Sequence, residues 1–88
     1  MPRIVITHDV QDVERWLRGK AERAAAFPGG RNVTDLVASD GSNRAAVVVD
    51  VDDLDAFNAF MTSMPPEIAA QAESHGVVIS SATAYVEA

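Results

Sequence analysis

Ile4-Val5-Ile6-Thr7-His8-Asp9-Val10-Gln11-Asp12-Val13-Glu14-Arg15-Trp16-Leu17 reads as a strand that runs directly into a helix. Side chains alternate along an extended chain, so Ile4, Ile6 and His8 share one face and Val5 and Thr7 the other. Asp9 and Asp12 offer carboxylates to cap a helix N-terminus. Val10, Val13, Trp16, Leu17, Ala21 and Ala24 then recur at the spacing of an amphipathic helix. Gly19 interrupts that stripe and weakens the helix by about 1 kcal/mol relative to Ala. Phe27-Pro28-Gly29-Gly30 ends it.

Working outward, residues 32–39 read as a second strand carrying Val33, Leu36 and Val37. Asp40-Gly41-Ser42-Asn43 is a hairpin signal, because Asp-Gly tolerates the positive φ of tight turns. Residues 45–49 form a third strand that is apolar on both faces, as expected of a central strand covered on both sides. Asp50, Asp52 and Asp53 precede Leu54, Phe57, Phe60, Met61 and Met64, a second amphipathic helix with acids at its positive end. Pro65-Pro66 interrupts it, with Ser63 as the expected cap of a fresh start. Ile68, Ala69 and Ala72 continue the stripe until Gly76, and residues 77–86 form the last strand. The order is β-α-β-β-α-β. A faint repeat supports it: Val10-Gln11-Asp12-Val13-Glu14-Arg15-Trp16 aligns with Val51-Asp52-Asp53-Leu54-Asp55-Ala56-Phe57, each at a strand-to-helix joint. Two pseudo-equivalent halves of a split βαβ fold would produce such a repeat.

The chain has 88 residues, and residues 1–88 are expected to form one domain. That size is near the limit at which one core suffices and help from a partner subunit is common. A net charge of −6 argues against nucleic acid and anionic membranes as partners. There is no cysteine, which excludes disulfides and thiolate chemistry. No signal peptide or membrane span is legible, so a cytoplasmic location is the expectation. The order β-α-β-β-α-β supplies two helical segments, enough for only one face of a four-stranded sheet. The other face would be a large apolar patch unless a second copy covered it. A sheet-to-sheet homodimer is therefore expected.

His8-Asp9-Val10-Gln11-Asp12-Val13-Glu14-Arg15-Trp16 resembles a pattern at the end of the first strand of small dimeric α+β barrel proteins: histidine, any residue, valine, any residue, Asp, and tryptophan four residues on. Val47-Val48-Val49-Asp50-Val51-Asp52-Asp53-Leu54-Asp55-Ala56-Phe57 resembles their third-strand-to-second-helix segment, and His75-Gly76-Val77 fits the start of their last strand. The resemblance covers nearly the whole chain. It implies an α+β, ferredoxin-like βαββαβ fold: a four-stranded antiparallel sheet with helices on one face, dimerising sheet-to-sheet into a barrel. The superfamily includes cofactor-free quinone-forming monooxygenases of antibiotic biosynthesis, polyketide cyclases and muconolactone isomerase-like enzymes. The Pro65-Pro66 break departs from an unbroken second helix.

His8 is the candidate catalytic residue, because an imidazole at the mouth of an apolar cavity can move a proton near neutral pH. Its rival role is structural, bonding the backbone at a strand end. In the half-to-half alignment His8 corresponds to Val49, so the second half has no matching histidine. The expected ligand contacts are Ile4, Ile6, Val47 and Val49 from the strands, with Trp16, Phe57, Met61 and Tyr85 around them. For the aromatic residues core packing is the competing role, and for Trp16 and Tyr85 dimer contact is another. His75 stands where a cation offsets a helix dipole. Asp50, Asp52, Asp53 and Asp55 do not match a calcium loop, and helix capping explains them better than a metal does. No phosphate-binding loop, dinucleotide fingerprint, zinc spacing or nucleophile elbow is present, so no cofactor is expected. The expected function is binding of a small apolar or aromatic molecule, with cofactor-free cyclisation, isomerisation or oxygen insertion through His8. The alternative is a non-catalytic ligand-sensing or interaction dimer with a filled barrel.

Overall fold

The computed structural model describes residues 3–27 and 29–87, so Pro28 lies outside the described residues. The chain forms β1 (Arg3–Val10), α1 (Val13–Arg18), α2 (Lys20–Ala24), β2 (Gly30–Val37), β3 (Arg44–Val51), α3 (Leu54–Thr62), α4 (Pro66–Ser74) and β4 (Val77–Val86). The strands make one antiparallel sheet in the order β2-β3-β1-β4. This is the α+β, ferredoxin-like fold, with each of its two helical segments divided.

The two strand-to-helix joints are built alike. Asp12 caps α1, its carboxylate accepting from the Glu14 and Arg15 amides at 3.0 and 3.5 Å. Asp53 caps α3, accepting from the Ala56 amide at 3.1 Å. Four residues beyond each cap stands a fully buried aromatic, Trp16 in α1 and Phe57 in α3. Each ring faces the sheet because the first turn after the cap leads inward. Ile4, Ile6, Val49 and Val51 pack with Phe57, and Val10, Ala45 and Val47 pack with Trp16. The alternation expected of β1 therefore holds, and it continues past His8 to Val10. Asp9 sits within β1 and caps nothing; its amide donates to the Ser81 hydroxyl at 2.8 Å.

Both helical segments differ from the sequence expectation in an informative way. The first breaks at Gly19, which caps α1 and opens α2. The break resets the helical phase. Leu17 is left 41% exposed and Ala21 and Ala24 lie at the surface, while Arg23 turns inward. In the second, Ser63 closes α3 and caps no new helix. Pro65 precedes α4 and Pro66 stands at its first position, where a missing N–H is harmless. The hairpin behaves as expected: Gly41 has φ +79°, and the Ser42 amide donates to Asp40 at 2.9 Å.

The third strand is covered on one face only within this chain. Its outer residues Ala46 and Val48 are half-buried and pair with Thr7 and Val5. Leu36 and Tyr85 lie on the same outer face, opposite Ala46 and Val5. Among the described residues no helix is long and apolar enough to cross a membrane.

Candidate functional site

A cavity of about 100 Å³ lies between the buried sheet face and the helices. Its wall is almost wholly apolar, and four polar side chains join it: His8, Arg23, Gln71 and His75. Of the residues expected from sequence, it brings together His8, Ile6, Val47, Trp16 and Met61, with Met64 beside them. Ile4, Val49 and Phe57 are not at the wall; they are no more than 1% exposed and lie in the solid core. Tyr85 is on the other side of the sheet, 57% exposed, beside an open hollow that Leu36 and Arg44 also line.

His8 sits where the β1–β4 pairing loses register, between Thr7 and Asp9. Such irregularities re-aim side chains and concentrate near functional sites. His8 is 7% exposed, and its ring meets the Trp16 ring edge-on at 5.4 Å. Nδ1 lies 3.4 Å from the Asp9 carbonyl. A carbonyl only accepts, so Nδ1 carries the proton in that contact and Nε2 keeps its lone pair. Among the described residues no group bonds Nε2. Burial is the largest influence on the imidazole and pushes its pKa below 6.5. The positive Arg23 pushes the same way, while the Asp9 carbonyl pulls against them. The outcome is a neutral imidazole at pH 7 with a lone pair free to accept a proton.

Arg23 is the residue that sequence reasoning missed. Its side chain is 9% exposed and that of Asp35 is 2% exposed. They pair through two bonds, Nε to Oδ1 at 3.0 Å and Nη2 to Oδ2 at 2.9 Å. Nη2 also donates to the Trp16 carbonyl at 3.1 Å, and the guanidinium lies 4.0 Å above the Trp16 ring. Two donors in this cluster are buried without a partner among the described residues: Arg23 Nη1 and Trp16 Nε1. A signal did exist. Asp35 alternates with Val33 and Val37 on one face of β2, and an acid on an inward face needs a buried cation.

His75 caps the end of α4, and its Nε2 is 3.3 Å from the Glu22 carboxylate. Arg15 reinforces the same junction, donating to the Ser74 carbonyl at 2.9 Å and the Glu73 carbonyl at 3.3 Å. Three of the acids around the end of β3 have structural partners. Asp50 accepts from Asn32 and Arg3, Asp52 pairs with Arg31, and Asp53 caps α3.

No protein-family model matches the chain, and no curated protein matches it in sequence. Solved structures do match its fold. A Bordetella bronchiseptica protein described as an antibiotic biosynthesis monooxygenase superposes with TM-score 0.72 at 16% identity, over 99% of this chain and 94% of that one. A Deinococcus radiodurans protein of the same description gives 0.64 at 10% identity, over 100% and 91%. SnoaB, a cofactor-independent oxygenase from Streptomyces nogalater, gives 0.63 at 20% identity, over 98% and 87%. At these identities the likeness is one of fold.

Proposed function

We propose that this protein is a homodimer that binds a small apolar or aromatic molecule in the cavity beneath its helices, and that His8 moves a proton on it without a cofactor. The observation that carries this reading is the imidazole itself. A neutral histidine with an unbonded Nε2 stands in a mostly apolar wall, in contact with a buried indole. Such a group can take a proton from carbon beside a carbonyl, or from a phenol, while the apolar wall orients the ring and keeps water out. Deprotonation of that kind opens the way to cyclisation, isomerisation or reaction with oxygen. SnoaB, which shares the fold, is a cofactor-independent oxygenase, and this supports the last of the three.

The test is exchange of solvent deuterium into a panel of enolisable aryl ketones, followed by proton NMR. The wild-type protein is expected to raise the exchange rate about 100-fold or more over buffer, the usual contribution of a placed base. His8→Gln is expected to lose that gain. Equal rates in the two proteins would remove His8 as the base. Binding without any exchange would favour a ligand-sensing dimer.

A further inference from the structure

We propose that Arg23 is a positioning residue for His8. Pinned by Asp35, it fixes the Trp16 indole, and the indole holds the imidazole in the orientation that leaves Nε2 free at the cavity wall. This rests on the reading of His8 as the base and says what aims it.

A side-chain base works only when its ring is held in the orientation that proton transfer needs. His8 has little of its own to hold it. Its polar contact, Nδ1 to the Asp9 carbonyl at 3.4 Å, is long and runs only to the next residue of the same strand. The ring that packs against it is Trp16, edge-on at 5.4 Å. The indole in turn has no hydrogen bond of its own, since Nε1 is buried and meets no acceptor among the described residues. What it has is Arg23. The guanidinium lies 4.0 Å above the indole, and Nη2 donates to the Trp16 carbonyl at 3.1 Å. One side chain therefore grips both the ring and the backbone of the residue behind His8, and a desolvated guanidinium over an indole is a favourable stack.

Arg23 is itself locked. Nε and Nη2 donate to the two carboxylate oxygens of Asp35 at 3.0 and 2.9 Å, and Asp35 stands in β2, within the sheet. Such a planar fork belongs to a guanidinium; an ammonium is a point charge and cannot bond both oxygens while stacking as a plane. The relay runs from β2 through α2 and α1 to β1. It also spans the break at Gly19, which separates the helix carrying Trp16 from the helix carrying Arg23. The charges act to the same end. Burial favours the neutral imidazole most, and the Arg23 charge adds to it, while the carboxylates of Asp9 and Asp35 each oppose it more weakly.

The experiment compares the wild-type protein with Arg23→Lys, which keeps the charge and loses the fork, and with Arg23→Met combined with Asp35→Leu, which removes the pair. Circular dichroism checks that each folds. The chain has two histidines and one tryptophan, so proton NMR can follow the His8 ring against the indole, with His8→Gln identifying its signals. In the wild type, the His8 ring protons are expected to show nuclear Overhauser contacts to the indole and shifts displaced from those of free histidine. In both variants the contacts should weaken and the shifts move towards the free values. In the deuterium-exchange assay, Arg23→Lys is expected to lower kcat about tenfold and to leave KM within about twofold, as loss of alignment does. A folded Arg23→Lys protein with wild-type contacts and kcat would overturn the proposal and leave Arg23 a stabilising partner of Asp35 only. If the wild type catalyses no exchange, the reading of His8 as the base fails, and the NMR comparison alone decides whether Arg23 sets its orientation. The wild type also carries a test that needs no variant. Its Arg23 Nε proton should exchange slowly with water and contact the indole, and fast exchange without that contact would overturn the proposal.

Discussion

The His75 ring occupies the space that a side chain at position 19 would need. A Cβ built on Gly19 would lie 2.4 Å from Cε1 and 2.5 Å from Nδ1 of that ring. The break between α1 and α2 is therefore where the end of α4 packs, and glycine is what admits it. Gly19→Ala should destabilise the protein by about 1–3 kcal/mol, as overpacking does, although alanine favours a helix. Urea unfolding of Gly19→Ala, His75→Ala and the double variant gives the coupling. The double variant should recover part of the loss, because the collision is gone. A Gly19→Ala protein more stable than wild type would refute the close approach.

The buried pair of Arg23 and Asp35 makes a second prediction. Removing one partner leaves the other charged and desolvated, and should cost about 3–5 kcal/mol. Replacing both by apolar residues of similar size should cost much less. Chemical unfolding of Asp35→Leu, Arg23→Met and the double variant tests this. Additive losses in the double variant would show that the pair is not coupled as its geometry implies.

Much of this was legible before any coordinates, because the signals are local and periodic. Strand alternation put Ile4, Ile6 and His8 on one common face, which the helices bury, and the matched joints at Asp12 and Asp53 marked where Trp16 and Phe57 turn inward. What escaped depends on contacts distant in sequence. Arg23 lies outside the apolar stripe read for a single helix, and the break at Gly19 turns it towards Asp35. Alternation also could not separate wall from solid core. Ile4 and Ile6 share a face, yet Ile6 meets the cavity and Ile4 packs in the cluster with Phe57. Tyr85 was expected among the ligand contacts with Trp16, but its register opposite Val5 sets it on the far face.

His8 should make stability depend on pH. Burial lowers its folded pKa below 6.5, so the unfolded chain takes up a proton before the folded one. Its contribution is then complete above about pH 6.5 and is lost as pH falls from there towards the lower folded value. His8→Gln should flatten that part of the stability curve. Urea midpoints of the two proteins across pH 4.5 to 8 would supply the comparison. A wild-type curve parallel to that of His8→Gln through this window would exclude a buried neutral imidazole.

The outer sheet face makes the last prediction. Leu36 is 46% and Tyr85 57% exposed there, and the residues paired between them are Thr7, Ala46, Val5 and Val48, none of them charged. A face this apolar at the centre of a four-stranded sheet suits a second copy, whose identical face would meet it about a two-fold axis. In a two-fold contact each substitution enters twice, so a charge placed at the centre faces its own image. Sedimentation equilibrium should find a dimer at micromolar concentration. Leu36→Lys combined with Tyr85→Lys should weaken it by about 100-fold or more, because buried like charges oppose one another across the interface. The same double variant should keep its circular dichroism spectrum, since both side chains are outside the core. A wild-type protein that sediments as a monomer would rule out the sheet-to-sheet dimer.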